Sequence, residues 1–408
     1  MSTLIAILGL GFLILIHEAG HFFVALAVRM RPRRFYIFFP PALVKRVRNG
    51  IEYGIGTIPL GGYVKIPGMH KPAGRDVDAY FAPAVGERPQ PLALTTSLRT
   101  HVDEEEWGVA RQDLDRLEGV LGDVPLTPSA RKAAERGLRE IDDGLSREAY
   151  WRASVWKRVA VIVAGPGTNL LFAVGLLAVV FMLGVPVATK VDRVVAGSPA
   201  AAAGLRSGDE IVALDGKPIS PVLTEQLPAR IGASHGRPIT VTVERDGRRL
   251  NVGPLQARLQ DGAYRIGIVL AGEERSFGAA DSARFAVRET WAITAETGKA
   301  LGRVFTGGGR DEVSGPVGIV RGSAEAVDVG FHVYLRILAL ISLSLALLNL
   351  LPLLPLDGGH IAFSIAEAVR GRAIPREAYE RASAVGLVLF LFLFFIGLNN
   401  DIGGGAGG

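Results

Sequence analysis

Four long apolar runs constrain the fold of this chain more than any other feature of its sequence. They cover residues 4–28, 159–187, 335–356 and 385–398. A helix needs roughly 20 apolar residues to cross the hydrocarbon core of a bilayer, so three runs are long enough and the fourth is marginal. The sequence therefore predicts a polytopic α-helical membrane protein with four transmembrane helices.

The first run has an alternative interpretation, a secretory signal peptide. However, no Lys or Arg precedes it, no obvious small-residue cleavage site follows it, and it contains His17, Glu18 and His21. The apolar region of a signal peptide lacks such ionisable groups. We therefore expect a retained transmembrane helix.

The positions of Lys and Arg predict the orientation in the membrane. The chain carries 45 Lys and Arg against 40 Asp and Glu, a formal net charge of +5. Near the apolar runs, basic residues cluster after the first run, directly before the second, and between the third and the fourth. Short basic loops stay in the cytoplasm, which puts both termini and the segment from 187 to 334 outside. Because topology explains the basic excess, we expect the lipid bilayer as a partner and no nucleic acid.

The segment between the second and third runs has a soluble part, residues 187–272, in which short β-like runs alternate with turns. One run ends at Asp246-Gly247, which is typical of a β-hairpin. On its residues 197–219 this part resembles a PDZ domain of the bacterial protease type. The resemblance implies an extracytoplasmic α+β domain that binds an extended peptide or protein tail by strand addition. The alternative is a spacer domain that binds nothing.

Two different pieces separate the first two runs. Residues 53–65 are rich in glycine and aromatic side chains, which is typical of a bent sheet at a membrane edge. Residues from about 70 to 150 are Pro-rich and then charged and helical in pattern. They predict a cytoplasmic helical insertion, and no motif in it indicates a function.

These patterns divide the chain into ten predicted segments. In chain order they are a first transmembrane helix (1–30), a membrane-associated β-rich loop (31–69), the helical insertion (70–156), a second transmembrane helix (157–186), the PDZ-like domain (187–272), an amphipathic linker (273–334), a third transmembrane helix (335–360), a cytoplasmic loop (361–380), a fourth transmembrane helix (381–399) and a flexible tail (400–408).

The first run contains His17-Glu18-Ala19-Gly20-His21, which fits the pattern H-E-x-x-H. Residues four apart share one face of a helix, so both imidazoles can reach one Zn²⁺, and Glu18 can take a proton from a bound water. Ionisable residues inside a transmembrane helix are costly unless they are paired or ligated. The alternative is a pair of histidines satisfied by hydrogen bonds between helices.

A catalytic zinc site needs a third protein ligand, and the chain contains no cysteine, so that ligand must supply oxygen or nitrogen. Asp357 is the only acid in residues 349–360, at the end of the third run, and prolines and glycines around it open the helix end. The first and third helices both run from outside to inside, so Asp357 should lie at the depth of His17 and His21. The alternatives are that Asp357 only ends the helix in an Asp-Gly turn, or that His360 is the ligand.

Together these motifs resemble the site-2 protease family of intramembrane zinc metalloproteases, close to the bacterial regulator-of-sigma-factor proteases with a PDZ domain. The resemblance rests on H-E-x-x-H and the PDZ-like string, and on the sequences PLGGYVK at 59–65, AGPGTN at 164–169, GPVGI at 315–319 and LDGG at 356–359. The insertion at 70–150 departs from the family pattern.

The resemblance implies that His17, His21 and Asp357 bind zinc and that Glu18 is the general base. It also implies that the β-rich loop presents an edge to an unwound substrate. The residues implied to contact substrate are Gly61, Gly62, Tyr63, Asn169 and Asn349. The two asparagines could equally form hydrogen bonds between packed helices.

The expected function is a zinc-dependent endopeptidase of the bacterial plasma membrane, with its active site near the cytoplasmic side. Its substrate would be a membrane protein with a single transmembrane segment, an anti-sigma factor or a leftover signal peptide, in regulated intramembrane proteolysis. One alternative is a catalytically silent scaffold whose PDZ domain binds exported protein tails. Another is a zinc transporter, although the second run, with Asn169 as its main polar side chain, offers almost no polar pathway.

Overall fold

A computed structural model describes residues 1–187, 189–220, 226–260, 262–305, 315–372, 374 and 376–403. Within these residues, four helices are long and apolar enough to cross a membrane: Ser2–Ala27, Val155–Leu183, Phe331–Asn349 and Glu377–Ile402. The prediction of four helices with the length and apolar character of membrane spans is confirmed.

The described elements follow one another along the chain with helices at both ends and most strands in the middle. They are α1 (Ser2–Ala27), β1 (Arg34–Arg48), β2 (Ile51–Lys65), α2 (Gly74–Glu87), α3 (Leu92–Asp103), α4 (Trp107–Asp123), α5 (Pro128–Leu145), α6 (Val155–Leu183), β3 (Val185–Val187), β4 (Val191–Val194), α7 (Pro199–Ala202), β5 (Glu210–Leu214), β6 (Lys217–Pro218), α8 (Gln226–Ala233), β7 (Pro238–Arg245), β8 (Arg248–Gln256), β9 (Arg258–Gln260), β10 (Ala263–Arg265), β11 (Ile268–Leu270), β12 (Glu273–Arg275), α9 (Ala279–Phe305), α10 (Pro316–Val329), α11 (Phe331–Asn349), α12 (Asp357–Arg370) and α13 (Arg376–Gly403).

The chain divides into two compact units, and each is described by itself. The N-terminal unit comprises Leu4–Leu170, Val313–Ile319 and Ser344–Gly408. The central unit comprises Met1–Thr3, Leu171–Glu312 and Val320–Leu343.

In the N-terminal unit, β1 and β2 form an antiparallel sheet in which each long strand folds back on the other. Residues 34–37 of β1 pair on one side with residues 52–55 and on the other side with residues 62–65. The stretch 62–65 therefore lies at an edge of the sheet, paired on one side only within the described part of the chain. Glycine permits the fold-back, because a Cβ atom on Gly56 would lie 2.0 Å from the Phe39 carbonyl oxygen. We call residues 61–65 the edge strand.

The region predicted to be a helical insertion contains the four helices α2–α5, which pack around a core of their own. Its largest fully buried side chains are those of Phe81, Leu98, Leu117 and Ile141. We call α2–α5 the helical insertion.

Ion pairs join the helical insertion to the sheet. Arg33 Nε lies 2.7 Å from Asp143 Oδ1, and Lys65 Nζ lies 2.8 Å from Glu140 Oε1 and 3.2 Å from Asp143 Oδ2. Burial lowers the pKa of Lys65, but the hydrogen bonds and charges of Glu140 and Asp143 outweigh this effect and raise the pKa above its usual value. The end of the edge strand is thereby fixed against α5.

Replacing Asp143 by Ala should loosen this attachment. The Asp143 residue is 5% exposed and pairs with two cations, so its loss should cost about 2 kcal/mol of local stability. We expect the amides of α5 to exchange hydrogen at least about tenfold faster, as measured by mass spectrometry on the full chain. The matched control is Asp142→Ala, because Asp142 forms a surface pair with Arg111. An effect no larger than that of the control would contradict the prediction.

The third predicted transmembrane helix, residues 335–360, differs from the structure at its end. The helix α11 ends at Asn349, and α12 begins at Asp357 after an irregular segment. Pro352 and Pro355 cannot continue a helix, because proline lacks the backbone N–H. The helix α12 also occupies the first half of the predicted loop 361–380, and α9 and α10 occupy most of the predicted linker 273–334.

The predicted flexible tail, residues 400–408, also differs, because α13 continues to Gly403. The Asp401 carboxylate accepts hydrogen bonds from the backbone N–H of Gly315 at 3.0 Å and of Gly318 at 2.8 Å. These bonds cap the beginning of α10. Residues 404–408 lie outside the described residues.

The central unit contains a four-stranded sheet in the order β6-β5-β7-β8. Its strands share one hydrophobic core with α7 and α8. The predicted hairpin turn at Asp246-Gly247 is confirmed, because Arg245 pairs with Arg248 across it. A partly buried ion pair joins the strands to the preceding loop, with Arg245 Nη2 at 2.7 Å from Asp209 Oδ2. The assignment of this region as a PDZ domain stays a prediction.

Candidate metal centre

The two histidines of the H-E-x-x-H motif lie one turn apart on α1, and each residue is 7% exposed. Asp357, 340 positions along the chain from His17, is the first residue of α12. Tight backbone packing brings it there: a Cβ atom on Gly358 would lie 2.2 Å from the Leu351 carbonyl oxygen. Glycine after Asp357 therefore lets α12 start against the irregular segment before it.

Three potential ligand atoms converge in the N-terminal unit. His17 Nε2 and His21 Nε2 are 3.2 Å apart, and Asp357 Oδ2 lies 3.1 Å from the first and 3.3 Å from the second. Ligands about 2.0 Å from a tetrahedral metal ion lie about 3.3 Å from one another. The spacing of the three atoms fits a zinc site.

The carboxylate of Asp357 supports the same interpretation. Its Oδ2 atom is buried and makes no well-aligned hydrogen bond within the described residues. An ionised oxygen and two imidazole nitrogens suit Zn²⁺.

The hydrogen bond of His21 fixes which of its nitrogens is free. Nδ1 lies 2.8 Å from the Val161 carbonyl oxygen of α6, which can only accept, so Nδ1 carries the hydrogen. Nε2 then presents a lone pair towards Asp357 and His17. This arrangement is common for metal-binding histidines.

Asn169 holds the other histidine. Its side chain is fully buried, and Nδ2 is 3.4 Å from His17 Nδ1. The two ends of an amide exchange by rotation, and with Oδ1 towards the ring Asn169 would accept the Nδ1 hydrogen and leave Nε2 free for a metal. Asn169, predicted to contact substrate, does not line the cavity described next.

Glu18 lies between the three converging atoms and the edge strand. The backbone N–H of Val64, in that strand, lies near its carboxylate. Its side chain lies against Gly62, where a Cβ atom would be 2.0 Å from Glu18 Cγ. Only glycine at position 62 allows this approach, which places the carboxylate beside a strand that is paired on one side only among the described residues.

A cavity of about 890 Å³ opens at this point. All predicted site residues except Asn169 line it: His17, Glu18, His21, Gly61, Gly62, Tyr63, Asn349 and Asp357. His360, the rival ligand, also lines it. Among the described residues, however, the group of three metal-ligating side chains contains His17, His21 and Asp357 and leaves His360 out. Burial lowers the pKa of His360, which favours a neutral imidazole.

Two sets of residues at the site have no counterpart in the sequence-based prediction. The first is a pair of glycines: a Cβ on Gly20 would lie 2.4 Å from the Ala164 carbonyl oxygen, and one on Gly165 would lie 2.2 Å from His21 Nε2. Small residues at a crossing of two membrane helices are the signal that could have indicated them. The second set belongs to the helical insertion and includes Tyr80 and Glu140, for which no local signal exists.

Comparisons with known proteins agree with this chemistry. Residues 5–393 match the profile of the family described as Peptidase family M50. A protein of Agrobacterium fabrum whose name describes it as a zinc metalloprotease is 29% identical, over 97% of this chain and 94% of the relative. One of Rhizobium meliloti, named in the same way, is 30% identical over 96% and 93%. The regulator of sigma-E protease of Salmonella typhimurium is 27% identical over 97% of each chain.

Proposed function

Since this chain belongs to peptidase family M50 and is a zinc metalloprotease, we propose that it is an intramembrane endopeptidase that cuts transmembrane segments of other membrane proteins. One observation carries the proposal. The residues of the candidate metal centre on α1 lie within a helix that is long and apolar enough to cross a membrane, and they open into a cavity. Ionisable residues inside a membrane-spanning helix indicate a functional site.

In the proposed mechanism, His17, His21 and Asp357 would hold the zinc ion. Bound zinc would supply Lewis-acid polarisation of the scissile carbonyl and acidify a water molecule. Glu18 would take one proton from the attacking water while the water oxygen bonds to the carbonyl carbon, and would deliver that proton to the amine nitrogen as the C–N bond breaks. Asn169 would orient His17, and the Val161 carbonyl would orient His21, so that each imidazole keeps its Nε2 lone pair towards the other two ligand atoms.

The edge strand is the proposed binding surface for the substrate backbone. A helical substrate hides its peptide bonds in internal hydrogen bonds, so it must unwind before it is cut. Pairing with a free strand edge satisfies the backbone groups of the unwound segment. Gly61, Gly62 and Tyr63 would present this edge, and Asn349, which also lines the cavity, would bind substrate backbone.

The location and partners of the protein are proposed from its basic loops and from its similarity to a relative. The basic loops favour a bacterial inner-membrane protein with both termini and the PDZ-like domain outside the cytoplasm. That domain would bind a peptide or protein tail. The similarity to a regulator of sigma-E protease supports an anti-sigma factor as substrate in regulated intramembrane proteolysis, with a leftover signal peptide as the other substrate of the same type.

Removal of zinc provides the test. The full chain in lipid vesicles, together with a single-span model substrate, should lose at least about 99% of its cleavage rate when a zinc chelator is added. One equivalent of Zn²⁺ after removal of the chelator should restore cleavage, and Mg²⁺ should not, because nitrogen ligands suit zinc better. Cleavage that continues unchanged in the chelator would contradict the proposal.

A further inference from the structure

The helical insertion forms part of the wall of the cavity that contains Glu18 and Asp357. The residues that α2, α5 and the segment before α2 contribute are Pro72, Asp76, Tyr80, Glu140, Ile141 and Gly144. None of them belongs to a motif of the family pattern. A substrate that enters the cavity meets the insertion as well as the metal centre.

An ion pair and backbone hydrogen bonds fix the position of the insertion relative to the edge strand. Lys65 at the end of that strand bonds Glu140 of α5 at 2.8 Å. After α5, the backbone N–H of Tyr150 donates to the Pro67 carbonyl oxygen at 2.9 Å, and that of Trp151 donates to Gly68 at 3.1 Å. These bonds fix the distance between the insertion and the strand.

The edge strand sets the distance between the metal centre and this wall. Glu18 lies against Gly62 and near the backbone N–H of Val64, and Lys65, one to three residues further along, lies against Glu140. One to three residues of a β-strand span about 3 to 10 Å, and a substrate paired with the strand advances at the same rate. When the scissile bond is at Glu18, a substrate residue one to three positions away would reach the wall formed by α2 and α5.

Apart from two carboxylates, the side chains of this wall are apolar; the Asp76 carboxylate accepts a hydrogen bond from the backbone N–H of Ala73 at 3.0 Å, and the other carboxylate is that of Glu140. Tyr80 is partly exposed and lies against α5, where a Cβ atom on Gly137 would be 2.5 Å from Tyr80 Cβ. Met69, Pro72 and Ile141 add apolar surface. The charges of Lys65 and Glu140 offset each other in their ion pair.

We propose that the helical insertion is a specificity subsite, in which Tyr80 binds an apolar side chain of the substrate one to three residues from the scissile bond. This inference rests on the proposed function, because it takes the edge strand as the binding surface for the substrate backbone. It gives the insertion a role in selecting the cleavage position within a transmembrane segment.

Photo-crosslinking on the full chain tests the proposal. The background variant is Glu18→Gln, which retains bound substrate, and benzoylphenylalanine replaces Tyr80, Tyr63 of the edge strand, or Val109 of α4. Val109 is the matched control, because it is 40% exposed and does not line the cavity. After illumination with a single-span substrate, mass spectrometry identifies the crosslinked substrate residues.

The expected result is a crosslink from position 80 to a substrate residue one to four positions from the scissile bond, and none from position 109. A crosslink from position 63 without one from position 80 would overturn the subsite and leave the proposed function standing. If neither position 63 nor position 80 reacts, the substrate does not bind along the edge strand, and both the subsite and the proposed edge-strand binding surface fail.

Kinetics provide a second readout. Tyr80→Ala should raise KM for the substrate about tenfold with kcat nearly unchanged, whereas Tyr80→Phe should stay within about twofold of wild type. A substrate with glycine at the crosslinked position should show no difference between the Tyr80→Ala variant and wild type. An equal loss of kcat for both substrates would contradict the proposal and indicate damage to the fold.

Discussion

Glu18→Gln should lower the rate of substrate cleavage by about 10³-fold while zinc stays bound. The amide has the shape of the carboxylate but cannot accept a proton from the attacking water. Glu18 also supplies none of the three converging ligand atoms, which belong to His17, His21 and Asp357. Cleavage is measured on a single-span substrate in vesicles, and zinc is measured by elemental analysis of the same sample.

The matched control for this variant is Glu118→Gln, because Glu118 is exposed on α4. The control should cleave at the wild-type rate. A Glu18→Gln protein with zinc bound and with cleavage within about tenfold of wild type would show that another group takes the proton.

Asp357→Ala should weaken zinc binding by more than about 100-fold. Loss of a residue that only orients a metal ligand weakens metal binding by up to about 100-fold, and loss of the ligand itself should weaken it more. The variant keeps His17 and His21 but leaves the ion without its oxygen ligand. Zinc affinity is measured by competition with a chelator of known affinity, which does not depend on catalytic activity. Cleavage should be lost at zinc concentrations that saturate the wild type and should return in part at higher concentrations.

The control here decides between two candidate ligands. His360 lines the same cavity but lies outside the group of three, so His360→Ala should bind zinc within a few-fold of wild type. If His360→Ala loses the ion and Asp357→Ala retains it, the ligand assignment is wrong.

The sequence was informative wherever a local pattern carries the structure. The spacing of His17 and His21 puts both rings on one face of any helix, whatever surrounds it. The absence of cysteine and the direction of the helices led to Asp357, whose carboxylate the structure brings to within 3.1 Å of His17 Nε2. The hairpin at Asp246-Gly247 follows from turn chemistry in the same way.

A local sequence pattern does not indicate the role of a residue when that role depends on tertiary contacts. Nothing local to Tyr80 or Glu140 indicates that they line the catalytic cavity. Asp401 resembled part of a flexible glycine-rich tail, yet its carboxylate caps α10, 83 positions away at Gly318. Asn169 has the same sequence context whether it binds substrate or His17, and only its burial places it against the histidine.

The proposed reaction of this zinc metalloprotease is a cut inside a transmembrane segment. Mass spectrometry can identify the peptide bond that the purified protein cuts in a single-span substrate within lipid vesicles. We expect a cut within the apolar span that wild type makes and Glu18→Gln does not. A cut confined to the exposed flanks of the substrate, or an equal cut by both proteins, would contradict the proposed reaction.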